Sequence, residues 1–582
     1  MSSHNTNGDK IFRDVNMSEA PTEKVNVFAQ THRGHNANWW QDWVNDNQSG
    51  DVDSEASRTP SNIEEPVISM EPLKMEDGLL VRVIPPKEPT QKIGHVPCDI
   101  VLVIHVSSSM FNKAPILDKD GVPEMDTGCT LLDIVKHAAL TIVHTLDEDD
   151  GVGLVTFGAV SKVVHELKSM NMANKKQTEA IIRELKIEWG SEIWQGVETG
   201  PGLFSAHSNS GNVPALMLLT DGRPSSEPAG GYARALGERE PLPTAIHTFG
   251  FGKHIESDVS STIANIGGGY YGFIPNSNAV CTVIVNATAH LQSTFATKCQ
   301  LELKVSNHPE NFAMSTDQVL GIRKKPRFGA TIWTIPLGNI QYGQSRDIYL
   351  RFTGELRKPG LGIHARLTQS NVKGPRSVEG AKVHKASTST LFDGEIAFHE
   401  YRSLICRFIL MLLPCDRHGT FIELNDRAKR IELFNFLLKR PYSGDHHADG
   451  NRLLGEQVES HIRTAVYAND VKWETWGGHY LLSLWFAHTK QLRTSFMDPG
   501  VQMYDTDSPL FQQCQERLMR AFEAEVKPSA PSRLVEADPV YSSSSQTLNM
   551  TSYSGRSMQG SSGGFQSTLG SYQRSCDSWD IV

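Results

Sequence analysis

The sequence predicts an α/β protein: a doubly wound, Rossmann-like sheet, then a β-sandwich, then an α-helical module, with disordered termini. Three observations carry this. Between residues 96 and 296, apolar runs of strand length alternate with stripes at helical spacing, as strands buried on both faces and their covering helices require. Beyond 297 the period falls to two, with short runs separated by Gly, Pro and Asn turns. From 394 the helical period returns.

Residues 1–65 are rich in Asn, Ser, Asp and Glu and read as a disordered N-terminal region. Within it Trp39, Trp40, Trp43 and Val44 stand at helical spacing, either a motif that folds onto a partner or one that docks on the chain itself. Residues 66–95 hold a strand at 79–84, ended by Pro85 and Pro86, that is expected to join the sandwich. The α/β region, 96–296, opens with the buried run Asp99-Ile-Val-Leu-Val-Ile-His-Val. Further strands are expected at 151–158, 214–220 and 245–251, and helices at 131–146, 174–186, 193–204, 257–266 and 278–295. The sandwich, 297–385, has strands at 300–305, 331–337, 345–352 and 362–368. Helices at 395–413, 426–439, 453–467, 480–493 and 510–525 make up the module at 386–527. The remainder, 528–582, is a Ser-rich tail that cannot build a core and offers hydroxyls to kinases.

Composition narrows the function classes. A net charge of −10 gives no support for nonspecific binding to DNA or to an anionic membrane. The eight cysteines are scattered without a CxxC pair, against zinc ribbons, RING fingers and disulfide scaffolds. The N-terminus lacks an apolar signal core, and no apolar run reaches the ~18 residues a membrane span needs. A cytoplasmic protein is expected, with nuclear entry left open.

In a doubly wound sheet, ligands bind beyond the carboxyl ends of the central strands. There the first strand runs into His105-Val-Ser107-Ser-Ser109-Met, and the strand at 214–220 runs into Asp221-Gly-Arg. The loop Trp189-Gly-Ser191-Glu-Ile-Trp194 opens a helix between them. Hydroxyls of Ser107, Ser109 and Ser191 and the carboxylate of Asp221 make a hard-oxygen set suited to an octahedral divalent cation. Taken singly, each serine reads equally as a helix cap and Asp221 as a turn former.

This combination resembles the von Willebrand factor A (VWA) domain and its metal-ion-dependent adhesion site. The likeness runs through Asp99-Ile-Val-Leu-Val-Ile-His-Val-Ser-Ser-Ser-Met, Leu218-Leu-Thr-Asp-Gly-Arg-Pro, and Ile246-His-Thr-Phe-Gly-Phe-Gly to Gly267-Gly-Gly-Tyr-Tyr. It implies Ser107, Ser109, Ser191 and Asp221 as metal-site residues, Mg²⁺ as the cofactor if one binds, and a protein ligand reached through an acidic residue. The family pattern is Asp-x-Ser-x-Ser, and His105 stands in the place of its Asp. That exchange removes a negative charge and puts a borderline nitrogen among hard oxygens. Ser191 keeps the hydroxyl of the family's Thr, and Glu192 is a possible compensating carboxylate.

The resemblance continues through Ile335–Asn339, Trp476-Gly-Gly-His-Tyr-Leu and Phe496-Met-Asp-Pro-Gly-Val-Gln to an intracellular, fungal-type group with a VWA/Hint-associated helical module. Relatives in that group carry Hint, U-box or RING domains. This chain is expected to lack them, so any ubiquitin role would need a partner. Asp445, His446, His447 and Asp449 have metal-ligand types in a Gly-flanked loop, more readily a solvated turn. Trp473, Trp476, Tyr480 and Trp485, with His479 and His488, read as core or rim packing. No catalytic set is found, and Gly560–Gly564 is a chance match to a nucleophile elbow. The expectation is a noncatalytic scaffold; the alternatives are an accessory or substrate-recruiting subunit of a ubiquitin-ligase system, or a truncated member with lost metal binding.

Overall fold

A computed structural model describes residues 65–524, apart from 74–77, 114–115, 118–122, 126–128, 208–209, 309–311, 354–360, 372–373, 384–390, 423–425, 440–447 and 494–502. The Trp-rich N-terminal segment, the loop with His446 and His447, and the Ser-rich tail lie outside these residues.

In chain order the strands are β1 Val67–Pro72, β2 Gly78–Ile84, β3 Cys98–His105, β4 Ile116–Leu117, β5 Pro123–Met125, β6 Gly151–Phe157, β7 Ser161–Ser169, β8 Val213–Thr220 and β9 Ala245–Phe251. They continue as β10 Gly268–Ile274, β11 Thr294–Ser306, β12 Ala313–Ser315, β13 Arg323–Arg327, β14 Ala330–Gln341, β15 Arg346–Thr353, β16 Gly362–Asn371 and β17 Gly374–Val383. A six-stranded sheet has the order β10-β9-β8-β3-β6-β7, parallel except where β7 returns antiparallel to β6. Every residue of β3 and of β6 is buried, which is why these sequences read as unbroken apolar runs.

Three features of this sheet escape the pattern reading. β7 (Ser-Lys-Val-Val-His-Glu-Leu-Lys-Ser) is an edge strand whose charges face solvent, so no apolar run marks it. β10 begins in Gly268 and Gly269, residues a strand seldom uses; a Cβ on Gly269 would lie 2.1 Å from the Ile246 carbonyl oxygen, so the close approach to β9 admits only glycine. The helix expected to run to 295 stops at Gln292, because Thr294 already pairs with Gln341 in the next sheet.

Four strands (β1-β2-β15-β12) and five (β13-β14-β11-β16-β17) form two antiparallel sheets around one core. That core takes Leu79, Val81, Ile348 and Leu350 from the first sheet and Leu301, Leu303, Trp333 and Ile335 from the second. β2 pairs with β15, some 265 residues on in the chain (Arg82 to Asp347), and thereby belongs to this layer.

After Asp393 the chain is helical, with helices Asp393–Leu412, Arg427–Leu438, Gly478–Lys490 and Pro509–Ala524. Gly478–Lys490 is buried along nearly its whole length and packs on β10, where Ser483 Oγ accepts from the Phe273 amide at 3.1 Å. Trp473, Tyr480, Trp485, His479 and His488 are all buried, and Trp476 stacks on Tyr480 with centroids 5.1 Å apart. Pro509–Ala524 is amphipathic and lies against helices Leu131–Thr145 and Ser277–Gln292, covering one face of the six-stranded sheet.

Candidate functional site

The parallel register brings the ends of three strands together. His105 closes β3 directly opposite Phe157 of β6, and its ring stacks on that phenyl ring with centroids 4.8 Å apart and planes 12° from parallel. β8 ends at Thr220, one residue before Asp221. His105 Nδ1 lies 2.8 Å from Asp221 Oδ1, with both side chains buried. Ser107 caps the short helical turn Ser108–Phe111, its hydroxyl accepting from the Ser109 amide at 3.3 Å. The two serine hydroxyls are 2.8 Å apart, and Ser109 donates to the same Asp221 Oδ1 at 2.9 Å.

Ser191 reaches the site on a loop pinned to Ser225, whose hydroxyl accepts from the Ser191 amide at 3.1 Å and whose amide donates to the Ser191 carbonyl at 2.7 Å. The Ser191 hydroxyl is buried and has no partner within the protein, as is His105 Nε2. Gly222 makes room for this meeting: a Cβ there would lie 2.7 Å from His105 Cε1 and 3.4 Å from Ser191 Oγ. The structure thus gathers Ser107, Ser109, Ser191, Asp221 and His105 at one sheet edge. Glu192 does not join them; its Oε2 takes a 2.5 Å hydrogen bond from Ser226.

Above the cluster opens a cavity of about 620 Å³, which the five-residue pattern alone could not disclose. Its walls come from Leu131 and Ile134 of helix Leu131–Thr145, from Phe251 at the end of β9, and from Asn276 and Val280. Capping holds these walls: Thr130 and Asp133 form a reciprocal capping box, and Asn276 accepts from the Ala279 amide at 3.1 Å. Among the described residues, Asp221 is the only carboxylate lining the cavity, against Lys113, Arg223, Lys253 and His254. Just outside, burial and the charge of Asp258 push Glu256 upward, with Arg223 pulling the other way from 3.6 Å.

The rim beside Ser191 is apolar and exposed. Trp189 is 63% exposed, and Val160, on the neighbouring loop, and Phe111, in the turn after Ser107, are exposed too. The Trp189 carbonyl accepts from the Ala159 amide, so the two loops bearing Trp189 and Val160 are joined.

One further group of metal-ligand types stands among the described residues: His95, Asp147 and Asp150. Here His95 Nε2 lies 2.7 Å from Asp150 Oδ2, and the Arg517 guanidinium lies 3.0 Å from His95 Nδ1. A cation already occupies the open side, and the group serves to clamp helix Pro509–Ala524.

With this geometry in view, residues 99–286 match the von Willebrand factor type A domain, and residues 449–520 match the VWA / Hh protein intein-like family. The chain therefore carries a VWA domain, a class that generally serves protein interaction and often holds a divalent metal at its adhesion site. An uncharacterized protein of Synechocystis sp. is 28% identical over 181 residues, 31% of this chain and 38% of that one, so the chain spans well under half of that relative. Among solved structures, the von Willebrand factor type A protein from Catenulispora acidiphila is 16% identical, with 74% of this chain and 98% of that chain covered and a TM-score of 0.49. The ArnB paralog VWA2 from Sulfolobus acidocaldarius is 13% identical over 69% of this chain and 93% of its own, with a TM-score of 0.42. Proximal thread matrix protein 1 from the mussel byssus, in a structure whose adhesion-site motif holds zinc, is 17% identical over 34% of this chain and 46% of its own, with a TM-score of 0.26. No helix among the described residues is long and apolar enough to cross a membrane.

Proposed function

We propose that this protein is a noncatalytic scaffold that grips an acidic, partly apolar protein ligand over the top of its VWA sheet without a metal ion. The observation that carries the reading is the 2.8 Å contact between His105 and Asp221. A hard divalent ion prefers carboxylate and hydroxyl oxygens with lone pairs to spare. Here the one carboxylate is shared between an imidazole and the Ser109 hydroxyl, and Ser107 and Ser109 are bonded to each other. That donor set does not fit Mg²⁺.

The surroundings favour an anion instead. Arg223 and Lys253 stand beside the cavity as charge partners for a carboxylate, and the unpartnered Ser191 hydroxyl is a donor for it. Trp189, Phe111 and Val160 supply the exposed apolar area that a partner's side chains would bury, with tryptophan the side chain most often dominant in such contacts. Chemistry on the ligand has no support in the cluster: Ser109 gives its proton to Asp221, and the His105 ring lies buried beneath.

Two measurements test this. Calorimetric titration of the full chain with Mg²⁺, Mn²⁺ and Zn²⁺ should give no saturable heat that a Ser107→Ala, Asp221→Ala protein loses. Partner capture should persist in EDTA and fall with Trp189→Ala. Loss of capture in EDTA would overturn the metal-free reading, and capture indifferent to both Trp189→Ala and the double change would remove the top face from the function.

A further inference from the structure

A second cavity, of about 250 Å³, lies where the β9–β10 edge meets β14, β15 and helix Gly478–Lys490. Its polar lining includes several nitrogen donors. Arg346, at the start of β15, is 2% exposed; it donates from Nη2 to the Asn339 carbonyl at 2.9 Å and to Gln341 at 3.2 Å. Its Nε and Nη1 have no partner within the protein. Neither has the side-chain amide nitrogen of Asn339, nor that of the buried Gln318, whose carbonyl oxygen accepts from the Tyr349 amide at 2.8 Å. Each of these three residues lines the cavity.

Lys490 completes the set from the last turn of its helix. Glycine at 338 admits it: with φ at +75°, a Cβ there would lie 3.4 Å from the ammonium nitrogen and 3.0 Å from the Gly268 carbonyl oxygen. Burial, and then the charge of Arg346, lower Lys490 to about 8. Of the carboxylates around Arg346, Asp347 is engaged elsewhere and Asp505 through one oxygen, its buried Oδ1 having no hydrogen-bond partner and its charge supporting Arg346. Asp347 binds Arg82 and Gln491, and Asp505 Oδ2 lies 2.8 Å from His290 and accepts from the Arg493 amide. Among the described residues, the one acid lining the cavity, Glu240, is exposed.

Two neighbouring cations, answered at Arg346 only by the nearby charges of Asp505 and Asp347, and four buried donors without a hydrogen-bond partner are costly to maintain unless a group rich in acceptor oxygens comes to them. The Nε and Nη1 groups of Arg346, each left to donate separately, beside a point-charge ammonium suit an anion with several acceptor oxygens. We propose that this junction cavity binds a phosphate-class dianion, held by Arg346 and Lys490 with the amides of Asn339 and Gln318, and that the bound anion fastens the six-stranded sheet, the two-sheet layer and the helical part to one another. The site is separate from the top-face cavity and does not depend on the reading of that face.

The test uses the full chain with inorganic phosphate and glycerol 3-phosphate as probes, at constant ionic strength in chloride, read by calorimetry and thermal unfolding. Saturable binding with a raised unfolding temperature is expected; equal affinities assign the free ion, and tighter binding of the ester assigns a phosphorylated small molecule. Lys490→Met should weaken binding at least tenfold. Arg346→Lys, which keeps the charge but removes the separate Nε and Nη1 donors, should weaken it as well. Because Arg346 is buried and its variants risk unfolding, Lys490→Met is the deciding protein, checked by circular dichroism and its urea midpoint. Binding undiminished in a folded Lys490→Met protein means an adventitious ion only, and no phosphate-specific heat means the donors are satisfied by water; either overturns the proposal.

Discussion

At the top of the six-stranded sheet the polar atoms bond mostly to one another: Asp221 to His105 and Ser109, Ser109 to Ser107. At the junction, Nε and Nη1 of Arg346 and the side-chain amide nitrogens of Asn339 and Gln318 stand without acceptors. The first arrangement hides its charge in an internal pair and presents an apolar rim, as protein-recognition surfaces do. The second leaves cationic and amide donors without hydrogen-bond acceptors in a small enclosure, as anion sites do. Counting charged residues around a cavity does not separate these cases, since Lys and Arg line both. The deciding observation is where each hydrogen bond goes.

The largest expected effect breaks the frame of the junction. Asp347 is buried between Arg82 of β2, Ser345, Gln491 and Arg402, tying the sheet layer to the helices. Burial would raise this carboxyl, but the charges of His399, Arg82 and Arg402 and the Gln491 bond outweigh it and leave it at about 2. Asp347→Ala removes the carboxylate that Arg82 and Gln491 bond, while Arg402 keeps the backbone carbonyl of residue 347, and should cost roughly 3 kcal/mol in urea unfolding. The same shift sets a pH window. Because the folded value is depressed, its stabilisation of roughly 2–3 kcal/mol is present above the ordinary aspartate range near 4 and lost as pH falls toward about 2. Unfolding midpoints of wild type and Asp347→Ala should therefore converge at acid pH.

Next comes a change that would turn the top face back into a metal site. His105→Asp places two carboxylates in one buried corner, and without an ion the protein should lose roughly 2–3 kcal/mol through their repulsion. Mg²⁺ at about a hundred times its dissociation constant should return about 2.7 kcal/mol, seen as a Mg²⁺-dependent unfolding temperature that wild type lacks. A wild-type protein with the same dependence would end the contrast between the two cavities.

Trp189→Ala should weaken partner binding by about 2 kcal/mol, roughly thirtyfold, with no change in phosphate binding at the junction. The smallest effect is expected from Gly222→Ala, whose Cβ would press on His105 at 2.7 Å. About 1 kcal/mol of stability is its expected cost, with the larger signature a displaced His105 resonance by NMR.

Much of the architecture could be read along the chain because each buried strand advertises itself. β3, β6, β8 and β9 are apolar on both faces, and the helices between them carry one apolar stripe each. Edge strands gave no such signal, since β7 needs charge on its solvent side and β10 needs glycine where β9 comes close. The site residues Ser107, Ser109, Ser191 and Asp221 were identified by residue type and order. Their bonding pattern was not, because a list of hydroxyls and carboxylates does not say which accepts from which.

Sequence by itself determined the doubly wound sheet, the change of period at 297, the helical ending, and the exchange of an aspartate for His105. These are local properties: burial on two faces, alternation, helical spacing, and the charge of one side chain. Tertiary structure alone decided that His105 turns to Asp221 and that Glu192 turns to Ser226. It alone placed Arg346, Asn339, Gln318 and Lys490, up to 172 positions apart in the numbering, around one cavity. The reason is physical: a hydrogen bond or an unanswered charge is a relation between groups that the fold brings within about 3 Å, and no single stretch of chain contains both partners.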